Sequence, residues 1–152
     1  MVKSDMQNQK IKNLILEVLE KGYLMSLGTL DEGGVWVADV IYVHDDYLNM
    51  YWMSDPDVRH SKALKKHTLV ALSITSNAPI EDNMGNQCFG EAEKIEGPRM
   101  DLAKKHYAKR KKPEPGENED VLGGYSWYVV KPKSIDLIYE KLFGFKKQKI
   151  EL

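Results

Sequence analysis

The chain has 152 residues, 42% of them hydrophobic, and a formal net charge of −1 at pH 7. This size and apolar content predict one domain over residues 1–152, and the near-neutral charge argues against non-specific binding to nucleic acid or an anionic membrane. The single cysteine, Cys88, excludes an intramolecular disulfide, and no Cys/His spacing is typical of a zinc site. No apolar run is long enough to span a bilayer and the N-terminus lacks the apolar core of a signal peptide, so we expect a cytoplasmic protein.

The first predicted element in chain order is an amphipathic helix over residues 6–21. Its apolar residues recur at helical spacing, and Gly22 closes the run. Strands are predicted at residues 23–30 and 35–43, joined by a hairpin turn with the sequence DEGG. A turn at Asp45 and Asp46 leads into a third strand, residues 47–53.

Strands also dominate the rest of the chain. Its predicted elements are, in order, a short helix after residue 56, a strand at 68–75, a loop at 77–83, a strand at 86–95, a basic helix at 98–112, an acidic loop rich in Pro and Gly at 113–124, and strands at 125–131 and 135–139 joined at Pro132. Sequential strands with tight turns and a few helices predict a mainly β fold, an antiparallel, Greek-key-like barrel or half-open barrel.

Both faces of the second predicted strand are largely apolar. One face carries Val35, Val37, Ile41 and Val43, and the other carries Trp36, Ala38, Val40 and Tyr42. Because the outside of a barrel faces solvent, the apolar outer face favours a covering helix or a second subunit, and we expect a homodimer. Asp39 interrupts the first of these faces, and a carboxylate there needs a partner or a cleft, so it marks a candidate wall of a site.

The segment YLNMYWMSDPDVRHSKAL contains the strongest candidate site. Its strand ends at Ser54-Asp55-Pro56, where Ser or Asp can cap a helix and Pro fits the first helical position. Arg59 and His60 come one turn later, so free N–H groups, a hydroxyl and positive charge would meet at this turn. The pattern indicates a phosphate on a small cofactor. The alternative is that Arg59 pairs with the neighbouring aspartates on a solvated helix face.

Together these segments resemble the FMN-binding split β-barrel of the pyridoxamine 5′-phosphate oxidase-related superfamily over most of residues 8–150. The resemblance rests on the aromatic-x-Ser turn, the Arg-His pair in SDPDVRHSKAL, the strand LVALSI and the later strand NQCFGEAEKIEG. The stretches NQCFGEAEKIEG, HYAKRKK and LIYEKLFGFKKQKI also resemble a small bacterial branch of that superfamily.

The resemblance implies FMN at the interface of a homodimer and a flavin-dependent oxidoreductase that acts on a small substrate. Met53 and Ser54 would meet the flavin phosphate, with Arg59 and His60 as the basic pair that neutralises it. The strand backbone at Ala38, Asp39 and Val40 would run along the isoalloxazine edge. Gln87 would reach the flavin, in a dimer from the other subunit. No catalytic side chain is implied.

Two features differ from the oxidase itself. Ala38 stands where the oxidase has an arginine at the start of its second strand, and FKKQK stands where it has an R-x-H type tail. The resemblance therefore does not imply oxidation of pyridoxamine phosphate. Two other functions stay open: a non-enzymatic protein that binds a flavin, haem or another ligand for sensing or storage, and a dimer whose basic helix contacts a partner.

The remaining chemistry-bearing residues favour structural roles. We predict Cys88 to be a buried, inert thiol. Glu91 and Glu93 alternate along one strand face, which is typical of a solvated face. The basic helix is predicted to be a solvated face that the acidic loop neutralises. We predict His44, His67 and His106 at the surface or at loop ends, and Trp36, Tyr42, Trp52 and Trp127 in the core, with the alternative that one of these aromatic residues packs on a flavin ring.

Overall fold

The computed structural model describes residues 2–152, with side chains from residue 4 onward, so that Met1 of the predicted domain lies outside the described residues. The described elements are α1 (Val2–Lys21), β1 (Leu24–Asp31), β2 (Gly34–His44), β3 (Met50–Ser54), α2 (Arg59–Ala63), β4 (Leu69–Thr75), β5 (Met84–Ile95), α3 (Met100–Lys109), β6 (Ser126–Tyr139), α4 (Glu140–Phe143) and β7 (Gln148–Glu151).

The strands form one antiparallel sheet that closes on itself. The strand order is β3-β2-β1-β4-β5-β6-β7, and β3 pairs with β6 as well as with β2. The extra pairing makes a closed six-stranded barrel with β7 added beside β6. β4 lies next to β1 after three hairpin-connected strands, which is the Greek-key order. The predicted mainly β, antiparallel barrel is confirmed, and it is closed rather than half-open.

The barrel interior and the helix α1 form one hydrophobic core. Its largest fully buried side chains include Ile15 and Leu19 of α1 and Met25, Leu27 and Trp52 of the barrel. Two buried hydrogen bonds connect the helix to the strands: the Tyr42 hydroxyl donates to the Leu19 carbonyl at 2.7 Å, and the Asn86 amide donates to the Ile15 carbonyl at 3.3 Å. α1 thus covers the barrel, as its apolar stripe predicted.

A second, smaller core lies outside the barrel under α3. It contains Val43 of β2, Leu102 and Ala103 of α3, Val121 and Trp127. α3 therefore covers the outer face of β2 only near its end. Within residues 2–152, no helix is both long enough and apolar enough to cross a membrane.

Two lysines of α3 close the backbone edge at the end of β2. The Lys105 Nζ donates to the His44 carbonyl at 3.0 Å, and the Lys109 Nζ donates to the Tyr42 carbonyl at 2.6 Å. Lys105 and Lys109 are four residues apart, which is about 6 Å along a helix, and His44 and Tyr42 are two residues apart, which is about 6.6 Å along a strand. The two lysines are therefore spaced to reach alternate carbonyls of β2. The basic helix is therefore not simply a solvated face.

The start of β3 and the C-terminal tail differ from the prediction by more than two residues. β3 begins at Met50 rather than at residue 47 because Asp45 organises the preceding turn: its carboxylate accepts the N–H groups of Tyr47 and Asn49 and the hydroxyl of Tyr51. The tail was not predicted to form a strand, but β7 pairs with β6, with Ser134 opposite Glu151.

Pro132 does not divide β6 as predicted. The strand runs unbroken through it, and the pairing with β5 shifts register between Phe89 and Gly90, so that Pro132 lies opposite Gly90 and Ser134 opposite Phe89. A Cβ at Gly90 would approach the Pro132 Cα at 2.9 Å. A register shift beside glycine is a position where a strand tolerates a residue without an N–H donor.

The prediction of surface histidines is wrong for His106, which is 5% exposed. Its ring packs edge-on against Trp127 with centroids 5.7 Å apart. Burial, and then the positive charges of Arg110, Lys109 and Lys112, lower its pKa to about 4. By contrast, Cys88 is buried as predicted, and burial raises its thiol pKa to about 12.

The buried His106 predicts acid sensitivity. Its pKa is depressed in the native state, so the unfolded chain binds more protons between about pH 6.5 and pH 4, and native stability falls as the pH falls through that window. His106 alone would contribute up to about 3 kcal/mol to this loss. Urea unfolding at pH 7 and pH 4.5 measures it. His106→Gln should reduce the difference, the exposed control His67→Gln should not, and an unchanged slope in His106→Gln would contradict the assignment.

Candidate functional site

The predicted phosphate turn lies where β3 ends against α2. Ser54 is the last residue of β3 and is 7% exposed, and its Oγ lies 3.0 Å from the Nε2 of His60 in α2. His60 is half-buried, and this burial lowers its pKa below the ordinary value. The structure therefore pairs a buried hydroxyl with a neutral imidazole. The Met53 side chain packs toward the core under α3.

The predicted helix cap at Ser54 or Asp55 is wrong. The Asp55 carboxylate instead accepts the Asp57 N–H at 2.8 Å, and the chain turns until Val58, which is the residue that precedes α2. Because Asp55 organises its own turn, the helix begins only at Arg59 and has five residues. So short a helix has little dipole to offer an anion, and any phosphate site here depends on side chains.

Arg59 is held by two groups that the sequence did not associate with it. Its Nε and Nη2 donate to the two carboxylate oxygens of Asp31, at 2.9 and 3.0 Å. Its guanidinium carbon lies 4.5 Å from the ring centroid of Trp36. The hydrogen bonds from Arg59 hold the pKa of Asp31 below its usual range. The alternative expectation was that Arg59 pairs with the neighbouring aspartates. In the structure Arg59 instead forms both hydrogen bonds with Asp31, at the β1–β2 hairpin.

Gly33 lets the hairpin approach the guanidinium. A Cβ at this position would lie 2.9 Å from the Arg59 Nη2. A cavity of about 610 Å³ opens beside the pair. It is lined by Asp31, Glu32, Gly33, Asp57, Arg59, Lys62, Ala63, Lys65, Lys66 and His67. The sequence predicted only a hairpin turn at DEGG. Its acidic start and two glycines are the features that could have indicated a contact with a cation.

β2 presents an unpaired backbone edge beside this group. It pairs with β1 along its length from Gly34 to Ile41, but with β3 only at Tyr42, Val43 and His44. Within the described residues, the part of β2 from 34 to 41 thus has no strand on the side away from β1. Ala38, Asp39 and Val40, the predicted contacts of the flavin ring, lie on this edge. The Asp39 carboxylate accepts a hydrogen bond from the Ser26 hydroxyl at 2.6 Å, which supplies the partner that a carboxylate there requires.

Gln87 lies away from the other predicted residues within one chain. It is on β5, which is separated from β2 by β1 and β4, or about 14 Å. Its side chain is exposed and accepts a hydrogen bond from the Lys147 Nζ at 2.6 Å. Within one chain, Ser54 contacts His60 and Arg59 precedes His60 in α2, whereas Gln87 lies on a separate strand.

An exposed apolar patch covers the outer face of β2, β1, β4 and β5. Cross-strand pairs place its members side by side, with Leu30 opposite Val35 and Ala71 opposite Phe89. The fractional exposures of its large side chains are Val35 83%, Val37 64%, Leu69 54%, Phe89 45% and Leu30 44%. Contiguous exposed apolar side chains on four strands are typical of a surface that another molecule covers.

Of the four aromatic residues predicted in the core, Trp36 is the exception. Tyr42, Trp52 and Trp127 are fully buried, while Trp36 is 45% exposed under the Arg59 guanidinium. Its ring is therefore available at the start of the free edge. Glu91 and Glu93 face solvent as predicted, and each pairs with a lysine of β6.

Comparisons with known proteins agree with this architecture. No protein-family model matches the chain, and no curated protein matches its sequence. Among solved structures, general stress protein 26 from Bacillus anthracis is similar with a TM-score of 0.70 and 15% identity, over 93% of this chain and 98% of that one. A candidate pyridoxamine 5′-phosphate oxidase from Listeria innocua gives a TM-score of 0.67 and 16% identity, over 84% and 98%.

A haem protein has the same architecture. HutZ, the heme storage protein from Vibrio cholerae, is similar with a TM-score of 0.61 and 11% identity, over 90% of this chain and 91% of that one. The chain therefore has the split β-barrel fold. The resemblance to the pyridoxamine 5′-phosphate oxidase-related superfamily is confirmed at the level of that fold.

The burial of His60 gives a direct prediction for this site. Because burial disfavours the imidazolium, the ring should titrate with a midpoint below the ordinary value of about 6.5. NMR titration of the His60 ring protons, assigned with His60→Gln, measures this midpoint in the ligand-free protein. A midpoint at or above 6.5 would contradict the buried, neutral imidazole beside Ser54.

Proposed function

We propose that this protein is an FMN-binding homodimer that acts as a flavin-dependent oxidoreductase on a small substrate. The observation that carries the proposal is the free backbone edge of β2 next to the group formed by Ser54, Arg59 and His60. The first can align the polar edge of a planar ring, and the second can hold a phosphate.

The side chains at the phosphate end fit a dianion. A guanidinium has five N–H donors in a fixed fork, and Asp31 uses only its Nε and one Nη2 donor. The Nη1 group keeps its donors for phosphate oxygens. The Ser54 hydroxyl and the His60 ring would supply two further contacts. A phosphate would also favour protonation of His60, so we expect phosphate affinity to fall as the pH rises.

Asp31 and Trp36 would orient Arg59 for this role. The carboxylate fixes one edge of the guanidinium, and the indole ring supports its face, so little rotamer freedom remains to be lost on binding. Asp31 is then a positioning residue, and its negative charge is offset by the arginine that it holds.

A second copy of the chain would complete the site. The exposed patch on β2, β1, β4 and β5 begins at Val35 and Val37, next to the free edge of β2. Covering it with the same patch of a partner would bury these side chains and bring a partner's Gln87 toward the flavin ring. This arrangement supports a ligand site at the interface rather than within one chain.

The bound flavin would supply hydride or electron transfer, and the protein would supply binding and orientation. The proposal assigns no catalytic side chain, as the sequence-based expectation did. The alternative is a non-enzymatic protein that stores or senses a flavin or haem. The structural similarity to the heme storage protein HutZ supports this alternative.

Replacement of Arg59 tests the phosphate contact. Arg59→Ala should weaken FMN binding at least about tenfold because a charge-assisted hydrogen bond to phosphate is lost. FMN titration followed by flavin fluorescence quenching measures the dissociation constant. A retained wild-type affinity in Arg59→Ala would overturn the phosphate assignment.

Arg99 provides a matched control for this experiment. It also forms a two-bond pair with an aspartate, Asp101, and lies 5.7 Å from the Tyr51 ring, with 38% side-chain exposure against 37% for Arg59. Arg99→Ala should leave FMN affinity unchanged. Riboflavin, which lacks the phosphate, should bind equally to the wild type and to Arg59→Ala.

Disruption of the apolar patch tests the dimer. Val37→Glu places a charge in the patch and should convert the dimer into a monomer, with loss of FMN binding. Sedimentation velocity gives the mass. The control Ile80→Glu changes a side chain that is 99% exposed in the loop before β5 and should leave both properties intact. A monomeric wild type that binds FMN would show that one chain is sufficient.

A further inference from the structure

A second cleft, of about 600 Å³, lies at the other end of β2, between the end of α1, the turn after β2 and α3. Its apolar wall includes Leu19, Val43 and Ala108. Its acidic, basic and histidine lining residues are Glu20, Lys21, His44, Asp46, Lys105 and Lys109. Ala38 is six residues, or about 20 Å, from His44 along the strand, so the cleft is separate from the proposed flavin site.

Lys109 has an unusual environment in this cleft. Its Nζ donates to the Tyr42 carbonyl at 2.6 Å and lies 3.4 Å from the centroid of the Tyr42 ring. Among residues 4–152, the ion pairs do not include Lys109 or Lys105, while Lys21 pairs with Glu17 at 3.0 Å. A partly buried ammonium without a carboxylate partner is disfavoured relative to the neutral amine. Burial lowers the pKa of Lys109 to about 8, and the negative charge of Glu20 opposes this shift without cancelling it.

We propose that Lys109 is a nucleophilic amine that forms an imine with a small anionic aldehyde or 2-oxo acid bound in this cleft. Desolvation of the ammonium is one way in which proteins activate a lysine for this chemistry. Lys105 keeps two N–H donors beyond its bond to the His44 carbonyl, and these can hold a carboxylate. The apolar wall of Leu19, Val43 and Ala108 can contact the hydrocarbon part of such a ligand.

The step is balanced without an oxidant or reductant. The lone pair of the Lys109 nitrogen attacks the carbonyl carbon, a C–N bond forms, and the carbonyl oxygen takes up a proton as the nitrogen releases one. The carbinolamine hydroxyl then takes a proton from solvent and leaves as water, the C–O bond breaks, and the nitrogen lone pair forms the C=N bond of a protonated imine. Tyr42 can orient the nitrogen throughout, because its carbonyl accepts an N–H from the amine and from the protonated imine alike.

Reductive trapping tests the proposal. The full-length protein is incubated at pH 7.5 with 4-carboxybenzaldehyde and sodium cyanoborohydride, and labelled lysines are identified by peptide mass spectrometry. Lys109 should be labelled at least about tenfold faster than the exposed lysines, because far more of it is the neutral amine at this pH. In urea this advantage should disappear. Labelling of Lys109 no faster than that of exposed lysines would overturn the proposal.

Two arginine variants are the matched controls. Lys109→Arg keeps a donor for the Tyr42 carbonyl but cannot form an imine, so the fast label should be lost while the circular dichroism spectrum stays native. Lys105→Arg keeps the cation, and fast labelling of Lys109 should persist. Should Lys109→Arg keep a fast label elsewhere in the cleft, the assignment to Lys109 would be wrong.

Benzaldehyde distinguishes an anion-binding cleft from simple amine reactivity. The carboxylated aldehyde should label Lys109 several-fold faster than benzaldehyde, and Lys105→Met should remove that preference without slowing benzaldehyde. Equal rates for the two aldehydes in the wild type would overturn the anionic part of the proposal.

Discussion

The pairing of β3 determines both the closure of the barrel and the position of the candidate site. β3 joins β6 along all five of its residues, from Met50 opposite Val130 to Ser54 opposite Ser126, but joins β2 at only three positions. The first pairing closes the barrel. The second is so short that most of β2 keeps a free edge, and it places the end of β3, with Ser54, beside that edge. β3 thus closes the barrel and also leaves the edge of β2 at the candidate site without a strand partner.

The two ends of β2 are completed in different ways. At its end, lysines of α3 donate to the carbonyls of Tyr42 and His44, and the small core under α3 covers Val43. At its start, the edge on the side away from β1 and the outer side chains Val35 and Val37 have no cover within the described chain. The unsatisfied backbone and the apolar patch occur together, so a planar polar ligand and a second subunit are the complementary partners. The proposed function rests on this asymmetry.

The sequence predicted the architecture better than the site. Alternating apolar residues located six of the seven strands within a few residues, because a half-buried strand needs that alternation. The continuity of β6 through Pro132 was not predictable in the same way, because it depends on the register shift opposite Gly90. Likewise, β3 starts late because one carboxylate, Asp45, organises the preceding turn, and local propensity does not register such a network.

The site shows the same limit. Ser54, Arg59 and His60 were found because they are close in sequence, whereas Asp31 and Trp36 contact Arg59 from a hairpin more than 20 residues upstream. The sequence predicts a surface position for His106, because a histidine with lysines as sequence neighbours gives no indication of burial. Its burial depends on Trp127, which reaches it only through the tertiary fold. Pairings between distant segments are set by packing, and a single sequence does not display them.

The central claim is that this barrel binds a flavin at the free edge of β2, and an absorption spectrum tests it most directly. The purified protein is measured before and after addition of FMN and removal of unbound ligand. We predict that flavin absorption at about 450 nm is retained, with an intensity that corresponds to one flavin per chain. No retained flavin after saturation would contradict the claim, and a haem spectrum after addition of haem instead would favour the storage alternative.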